Sequence, residues 1–449
     1  MKIGFGRSDV TPRVGVELSG FGPYICRHSV GVRDRLWARA MACEQGGKRW
    51  VLVSCDLIGM ELWITRRVRD LVHAATGLPP DALMLHCTHT HSGPNTGGYI
   101  GWGAPDEPYL LTVSKRIAKA AIAAITDLRE AIVSLGEAPC EGIGHNREYD
   151  PQVPPLDQLL DPAWRPAKPE LTDTVCRVFK VESAGKIIGF MSYFGCHPVV
   201  CCAESHWIHG DYCGVATNIL EREMPGATGM FLQGAQGDVN TCVAHQTEPD
   251  SLRALDVIAA RYAAGVRRAL AACRPVAADT IGFHRRTVTF TRKPWDLAHL
   301  KKMLAEKEAF VTCEATDDDY KGNAHPDSVR MNTVYLTALR RLVARGEQGL
   351  PFEEPTEIQG LRLGPVVFVG SPFETFQAIK NDVVAGSPMP VTLVMSFCND
   401  SGGYATDHTA AVRGGYAADM VPLIMGVRPF ASIHDELVKG LLDVAGALA

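Results

Sequence analysis

The chain has 449 residues, 46% hydrophobic and 21% charged, with a formal net charge of −5 and no basic block. This length allows one large domain or two to three ordinary ones, and the composition is that of a globular protein. The lack of a basic patch excludes nucleic acid as a partner, and no apolar run approaches the roughly 20 residues that span a bilayer.

Met1-Lys2-Ile3-Gly4-Phe5-Gly6-Arg7-Ser8-Asp9 reads as a first strand, with no apolar leader or cleavage site. The expectation is therefore a cytoplasmic protein with no stable membrane insertion. Residues 50–55 form a buried strand pattern. Helical periodicity follows over 65–75, stopped by Gly77 and Pro79-Pro80. A short apolar run, Ala82-Leu83-Met84-Leu85, leads into Thr88-His89-Thr90-His91-Ser92-Gly93-Pro94. Residues 114–131 read as an amphipathic helix. The proline-rich stretch 151–169 reads as an irregular surface loop. Residues 175–182 and 187–194 form a hairpin around Ala184-Gly185-Lys186, and 358–363 with 366–369 form a second around Gly364-Pro365. Between them lie a helix at 252–270 and a charged, helical insertion at 294–349, expected as a helical hairpin over one end of the sheet. A strand at 391–397 and a closing helix at 433–448 complete the chain. This alternation predicts an α/β fold: a mixed, twisted sheet flanked by helices in a single large domain spanning 1–449. The fourteen cysteines, Cys55 and Cys176 among them, are expected as free buried thiols of a reducing compartment. The adjacent Cys201-Cys202 has no CxxC companion of the kind a cysteine-rich zinc site uses.

Polar residues with chemical potential gather after apolar strands. His89 and His91 follow the first of these, and residues i and i+2 at a strand end project to one side, so both imidazoles can serve one site. His197 ends the strand at 187–194, with His206 and Asp211 shortly after. Gln233 and Asp238 bracket a glycine-rich turn without the Lys-Ser/Thr of a phosphate loop. Glu374 and Tyr404 follow two later strands. Each has a purely structural alternative: a satisfied core histidine for His197, a helix cap for Glu374, turn residues for Asp211 and Asp238, a packing side chain for Tyr404. Together, at the strand ends of an α/β sheet, they point to one convergent metal-type site.

In order and spacing these segments resemble the catalytic domain of the neutral/alkaline non-lysosomal ceramidase family. The resemblance runs through residues 4–11 (GFGRSDVT), 35–40, 54–57, the signature THTHSGP at 88–94, Cys196-His197-Pro198 with 206–211 and Gly214, 233–240, 372–375 and 399–406. It implies Zn2+ held by His89, His197, Glu374 and Tyr404. It also implies His91 as a neighbouring or general-base histidine, and Arg147 as the contact to a substrate carbonyl. Asp238 is a second candidate for proton relay, and His206, Asp211 and Gln233 are candidates to support the ligands.

The chain departs from the family pattern at the serine proposed as nucleophile, whose place is taken by Gly234. Ser92 remains, in the metal loop, where its expected role is a backbone hydrogen bond. The resulting expectation is a zinc-dependent hydrolase acting on an amide bond of a small molecule through activated water. The family's C-terminal immunoglobulin-like domain is expected to be absent. Open alternatives are an ester or glycosidic hydrolase, a metal-dependent lyase or isomerase on the same scaffold, and a non-catalytic binding protein. Homo-oligomerisation is left open by the sequence.

Overall fold

The computed structural model describes residues 1–313 and 328–449. The first sheet holds β1 (Lys2–Asp9), β2 (Trp37–Gln45), β3 (Lys48–Cys55), β4 (Leu83–Cys87) and the short β5 (Arg129–Glu130), in the order β4-β3-β2-β1-β5. The second holds β6 (Ile132–Pro139), β7 (Val175–Ser183), β8 (Lys186–Phe194), β9 (Thr228–Gln233) and β10 (Arg274–Pro275), in the order β9-β8-β7-β6-β10. A third sheet runs β11 (Ile281–Val288), β12 (Thr356–Leu363), β13 (Val366–Gly370), β14 (Val391–Met395). The expected α/β class with helix-flanked sheet stands, and among the described residues the strands divide into these three sheets and three two-stranded ones. Apolar periodicity marks strands without stating which sheet each one joins.

The first two sheets face each other. Neighbouring residues of β1 point to opposite faces. A Cβ on Gly4 or Gly6 would lie 2.2 or 2.3 Å from carbonyl oxygens of α2 (Glu107–Thr126), so glycine here lets the helix lie flat on the sheet. Phe5, between them, points inward and fills the space over Gly189 of β8. The shared core joins Leu52 and Leu85 of one sheet to Met191, Met230 and Leu232 of the other. Each such fully buried side chain contributes roughly 1.5–3 kcal/mol by leaving water. Outside this pair lie α1 (Leu62–Thr76) and α2 on one face, and α3 (Asp211–Glu223) and α4 (Glu248–Ala272) on the other.

The helix expected at 114–131 begins earlier and ends earlier. Asp106 caps it by accepting from Tyr109 N, and the chain after Asp127 turns to pair β5 with β1. The loop 151–169 is mostly irregular but carries a turn of helix at Leu156–Leu159. The insertion forms two packed helices, α5 (Leu297–Val311) and α6 (Val329–Glu347). The part of it at 314–327 lies outside the described residues. Residues 377–386 form α7 (Gln377–Gly386) and the closing helix is α8 (His434–Gly446), both packed on the third sheet. The fourteen cysteines are thiols outside any disulfide, and among them Cys26 and Cys313 are exposed. Among the described residues no helix is long and apolar enough to cross a membrane.

Within these three sheets, three strand pairs are parallel: β3 with β4, β8 with β9, and β13 with β14. Parallel partners end on the same side. The loops after β4, β8, β9, β13 and β14 therefore emerge together, and they carry the polar clusters.

Candidate metal centre

The loop after β4 stays pinned to β3 by Thr88 N to Cys55 O and by His89 N to Leu57 O, both 2.9 Å. His89 then turns with φ 71°, a left-handed conformation that costs a non-glycine residue roughly 1–2 kcal/mol. This turn, not strand alternation, brings His89 and His91 to one point, so the reason given by the i, i+2 spacing is corrected here. The close approach of a second loop also needs Gly20, where a Cβ would lie 2.4 Å from the His91 ring.

Two of the three histidines gathered here, His89, His91 and His197, have their tautomers set. His89 Nδ1 is 2.5 Å from Ile58 O, and His197 Nδ1 is 3.1 Å from Gln236 O. A carbonyl only accepts, so each Nδ1 carries the hydrogen and each Nε2 presents a lone pair. The two Nε2 atoms are nonetheless 3.0 Å apart. Glu374 Oε2 lies 3.5 Å from His89 Nε2 and 3.3 Å from His197 Nε2, and is buried with no hydrogen-bond partner. Burial, reinforced by the neighbouring His89, holds His197 well below the usual histidine range, so His197 Nε2 stays an acceptor. Donor atoms around a tetrahedral ion with bonds of about 2.0–2.1 Å stand roughly 3.3–3.4 Å apart. The triangle of His89, His197 and Glu374 fits a zinc ion in donor type and in spacing.

His91 differs. Its Nε2 is 3.0 Å from His89 Nε2 but makes no ion-pair contact with Glu374, and its Nδ1 is buried without a partner. No carbonyl sets its tautomer, and burial keeps it unprotonated. Tyr404, after the Gly402-Gly403 turn, pairs with Glu374 in a two-stranded parallel bridge. Its hydroxyl accepts from Arg147 Nη2 at 2.7 Å. Burial pushes the Tyr404 phenol well above its usual range, with Arg147 opposing and Glu374 adding to the shift. Arg147 is itself held by Gly237 O at 2.7 Å and Asn240 Oδ1 at 3.2 Å.

The remaining residues singled out from the sequence stand behind or away from this centre. Both Asp238 oxygens are engaged, Oδ1 by Gln377 N and Oδ2 by Asn146 Nδ2, and its carbonyl accepts from Arg147 N. It positions Arg147 and does not line the cavity, so the proton-relay expectation for Asp238 is corrected. Its carboxyl is pushed up to about 6 by burial. Gln233 donates to Cys196 O at 2.8 Å and receives nothing from the cavity. His206 is half-buried, bonded to His28 O at 3.0 Å, and outside the cluster. Asp211 starts α3 in a separate buried group with Cys201 and His209.

The centre opens into a cavity of about 670 Å³. His91, His197, Arg147 and Tyr404 form its polar end, and Phe21, Pro23, Ile25, Trp102 and Val199 its apolar wall. Gly234 is not part of that lining. A Cβ there would point at Tyr193, 2.9 Å from its hydroxyl. The wall residues, His245 at the mouth, and the buried Arg27 that clamps His91 O were not anticipated from sequence. Only the Ser19-Gly20-Phe21-Gly22-Pro23 run offered a local cue.

A helix-flanked α/β scaffold with a buried His/His/Glu centre beside an Arg–Tyr pair defines the class of protein. The chain belongs to the neutral/alkaline non-lysosomal ceramidase family, a family of hydrolases. The model of that family's N-terminal region matches residues 1–250, more than half of the chain. A neutral ceramidase of Pseudomonas aeruginosa is 24% identical over 249 residues, a match that covers 52% of this chain and 36% of that relative. The crystal structure of neutral ceramidase from Pseudomonas aeruginosa superposes with a TM-score of 0.73 at 19% identity, covering 100% of this chain and 75% of that one. A ceramidase complexed with C2 gives 0.75, at the same identity and coverage. At this identity the two structures establish the fold.

Proposed function

We propose that the chain is a zinc-dependent hydrolase cleaving an amide bond of a small molecule, with water and not a serine as the nucleophile. The observation that carries this reading is the His89–His197–Glu374 triangle, in which both imidazole tautomers leave lone pairs facing each other. Zinc held by these three residues supplies Lewis acidity towards a carbonyl oxygen and makes water nucleophilic near neutral pH.

The chain's own residues do the rest. Arg147 and the Tyr404 hydroxyl stand together at the polar end of the cavity. From there they orient a substrate carbonyl and stabilise negative charge on its oxygen. His91, neutral and with no carbonyl fixing its ring hydrogen, accepts the proton of the attacking water and returns it to the leaving nitrogen. The apolar wall excludes bulk water and receives the non-reacting part of the substrate. A cavity of about 670 Å³ suits a molecule of ordinary cofactor or drug size. The Gly234 Cβ direction supports the absence of a serine route, because a side chain there meets Tyr193.

The deciding experiment is hydrolysis of a panel of N-acyl amides and the matching esters in H2¹⁸O, with the chain stripped of metal and then reloaded with zinc. Zinc-restored turnover with one ¹⁸O in the carboxylate product supports the reading. Turnover without solvent oxygen would move the chain to lyase chemistry, and turnover unaffected by metal removal would end the proposal.

A further inference from the structure

A second cavity, of about 710 Å³, lies between the helical insertion, the end of β11 and the start of α1, and shares no lining residue with the first. Five arginines line it, and two of them are neutralised. Arg428 pairs with Glu353 at 2.8 Å, and Arg345 pairs with Glu354. Among the described residues, Arg66, Arg292 and Arg341 have no carboxylate within ion-pair distance. Arg292 Nη1 donates to Arg428 O at 2.8 Å, and its other guanidinium nitrogens make no hydrogen bond among those residues. Its guanidinium carbon lies 3.6 Å from the centroid of the Phe430 ring. Burial draws Arg292 down to about 10, so it stays charged at neutral pH. Arg341, on α6, has Nη1 4.0 Å from where a Cβ of Gly426 would stand. Both guanidinium groups thus approach one loop, at positions two residues apart. The other two carboxylates of the lining are engaged. Glu61 accepts from Trp63 Nε1 at 3.1 Å, and Asp400 accepts from Leu62 N at 3.0 Å and from Thr356 Oγ1 at 2.7 Å.

We propose that this cavity binds a small organic anion, a phosphate monoester on a flat apolar group, with the phosphate between Arg292 and Arg341 and the apolar body on Phe290 and Phe352. Like charges brought together without a counter-charge repel, and an anion between them relieves that repulsion. Two uncompensated guanidinium groups match a dianion better than a single carboxylate, and their planar forks suit phosphate oxygens. The rings are held in place for the rest of the ligand. Phe290 packs against Phe373 with centroids 5.2 Å apart, and the Arg428 guanidinium lies 4.7 Å from the Phe352 centroid. The volume falls in the range of roughly 300–1,000 Å³ that small-molecule sites occupy. The site needs neither zinc nor hydrolysis, so it stands or falls apart from the proposed function.

The test is calorimetric titration of phenyl phosphate into the zinc-loaded full chain at about 0.15 M ionic strength, with inorganic phosphate, benzoate and benzyl alcohol alongside. One site is expected, with phenyl phosphate bound roughly tenfold or more tightly than any of the other three. Arg341→Ala, at an exposed position, should weaken phenyl phosphate by about tenfold or more. Arg340→Ala removes the same charge one residue earlier, where it pairs with Glu308 outside the cavity, and should leave binding unchanged. Phosphate is also a ligand for zinc, so His89→Ala is titrated in parallel and should bind phenyl phosphate as the parent does. Loss of binding in His89→Ala would assign the anion to the metal centre. Equal losses in Arg340→Ala and Arg341→Ala would assign it to general surface charge. Either result, or a parent chain that binds no phenyl phosphate, would overturn the site; equal binding of benzoate or of inorganic phosphate would overturn the ligand class.

Discussion

His89 Nε2 and His197 Nε2 face each other at 3.0 Å while both Nδ1 hydrogens are committed to backbone carbonyls. Two imidazole lone pairs do not attract at that distance, so a cation between them, with Glu374 Oε2 as the third donor, is the partner this geometry suits. His89→Ala should therefore abolish hydrolysis and cut the zinc affinity of this centre sharply. Glu374→Gln, isosteric but uncharged, should weaken zinc binding less. Metal content after dialysis against a weak chelator, read beside turnover, checks both. Full zinc retention by His89→Ala would remove the centre from consideration.

Arg147 and Tyr404 form the second relationship, through a 2.7 Å hydrogen bond and a guanidinium 5.2 Å from the ring centroid. Neither belongs to the ligand triangle. Arg147→Lys should lower kcat on the order of 10²–10³-fold, because a lysine ammonium cannot hold Gly237 O, Asn240 and Tyr404 in one plane. Tyr404→Phe should lower kcat similarly. Both variants should keep zinc stoichiometry and change KM little. A loss of zinc in Tyr404→Phe would instead restore the phenol to the ligand set that the family resemblance implies.

The sequence exposed the metal end of this site more fully than its walls. His89, His91, His197, Glu374 and Tyr404 each follow an apolar strand, and their residue types are unusual enough there to stand out. Parallel strand pairs bring those ends together, so position along the chain translated into position in space. The division of labour among the histidines was not legible. It rests on which Nδ1 meets a carbonyl, and Ile58 and Gln236 contribute only backbone atoms, which carry no residue signature. Asp238, a candidate relay, is occupied by long-range bonds to Asn146 and Gln377 that no local pattern shows. Phe21, Trp102 and Tyr416 reach the cavity from segments far apart in the chain, and no local periodicity marks such a wall.

Gly234→Ser offers a direct test of the missing serine. The new Cβ would lie 2.9 Å from Tyr193 Oη, which donates to Val394 O at 2.9 Å and is fully buried. Overpacking of this kind costs about 1–3 kcal/mol. The variant should unfold at lower urea concentration and show no burst of acyl-enzyme. Tyr193→Phe in the same chain should recover part of the loss by removing the hydroxyl. A burst phase in Gly234→Ser would show that the side chain reaches the substrate, contrary to the direction of its Cβ.

His86 sets an acid limit on the fold. Its Nδ1 is 2.8 Å from Ser396 O and its Nε2 accepts from Gln233 N at 2.9 Å. One ring nitrogen must donate and the other accept, which only the neutral imidazole can do. Burial lowers this group to about 4, against 6.5 in an open chain, with the Ser396 carbonyl opposing the shift. Its contribution to stability is thus complete above pH 6.5. Below that, the unfolded chain takes up a proton that the native state refuses, and stability falls by about 1.4 kcal/mol per pH unit towards pH 4. Urea unfolding of the metal-free chain at pH 7, 6 and 5 should show this slope, added to that of the other buried histidines. His86→Leu should be less stable at pH 7 but should lose one proton's worth of the slope between pH 6 and 5. An unchanged slope in that variant would mean that His86 is already protonated in the native state, and that Gln233 N, at the end of β9, has found another acceptor.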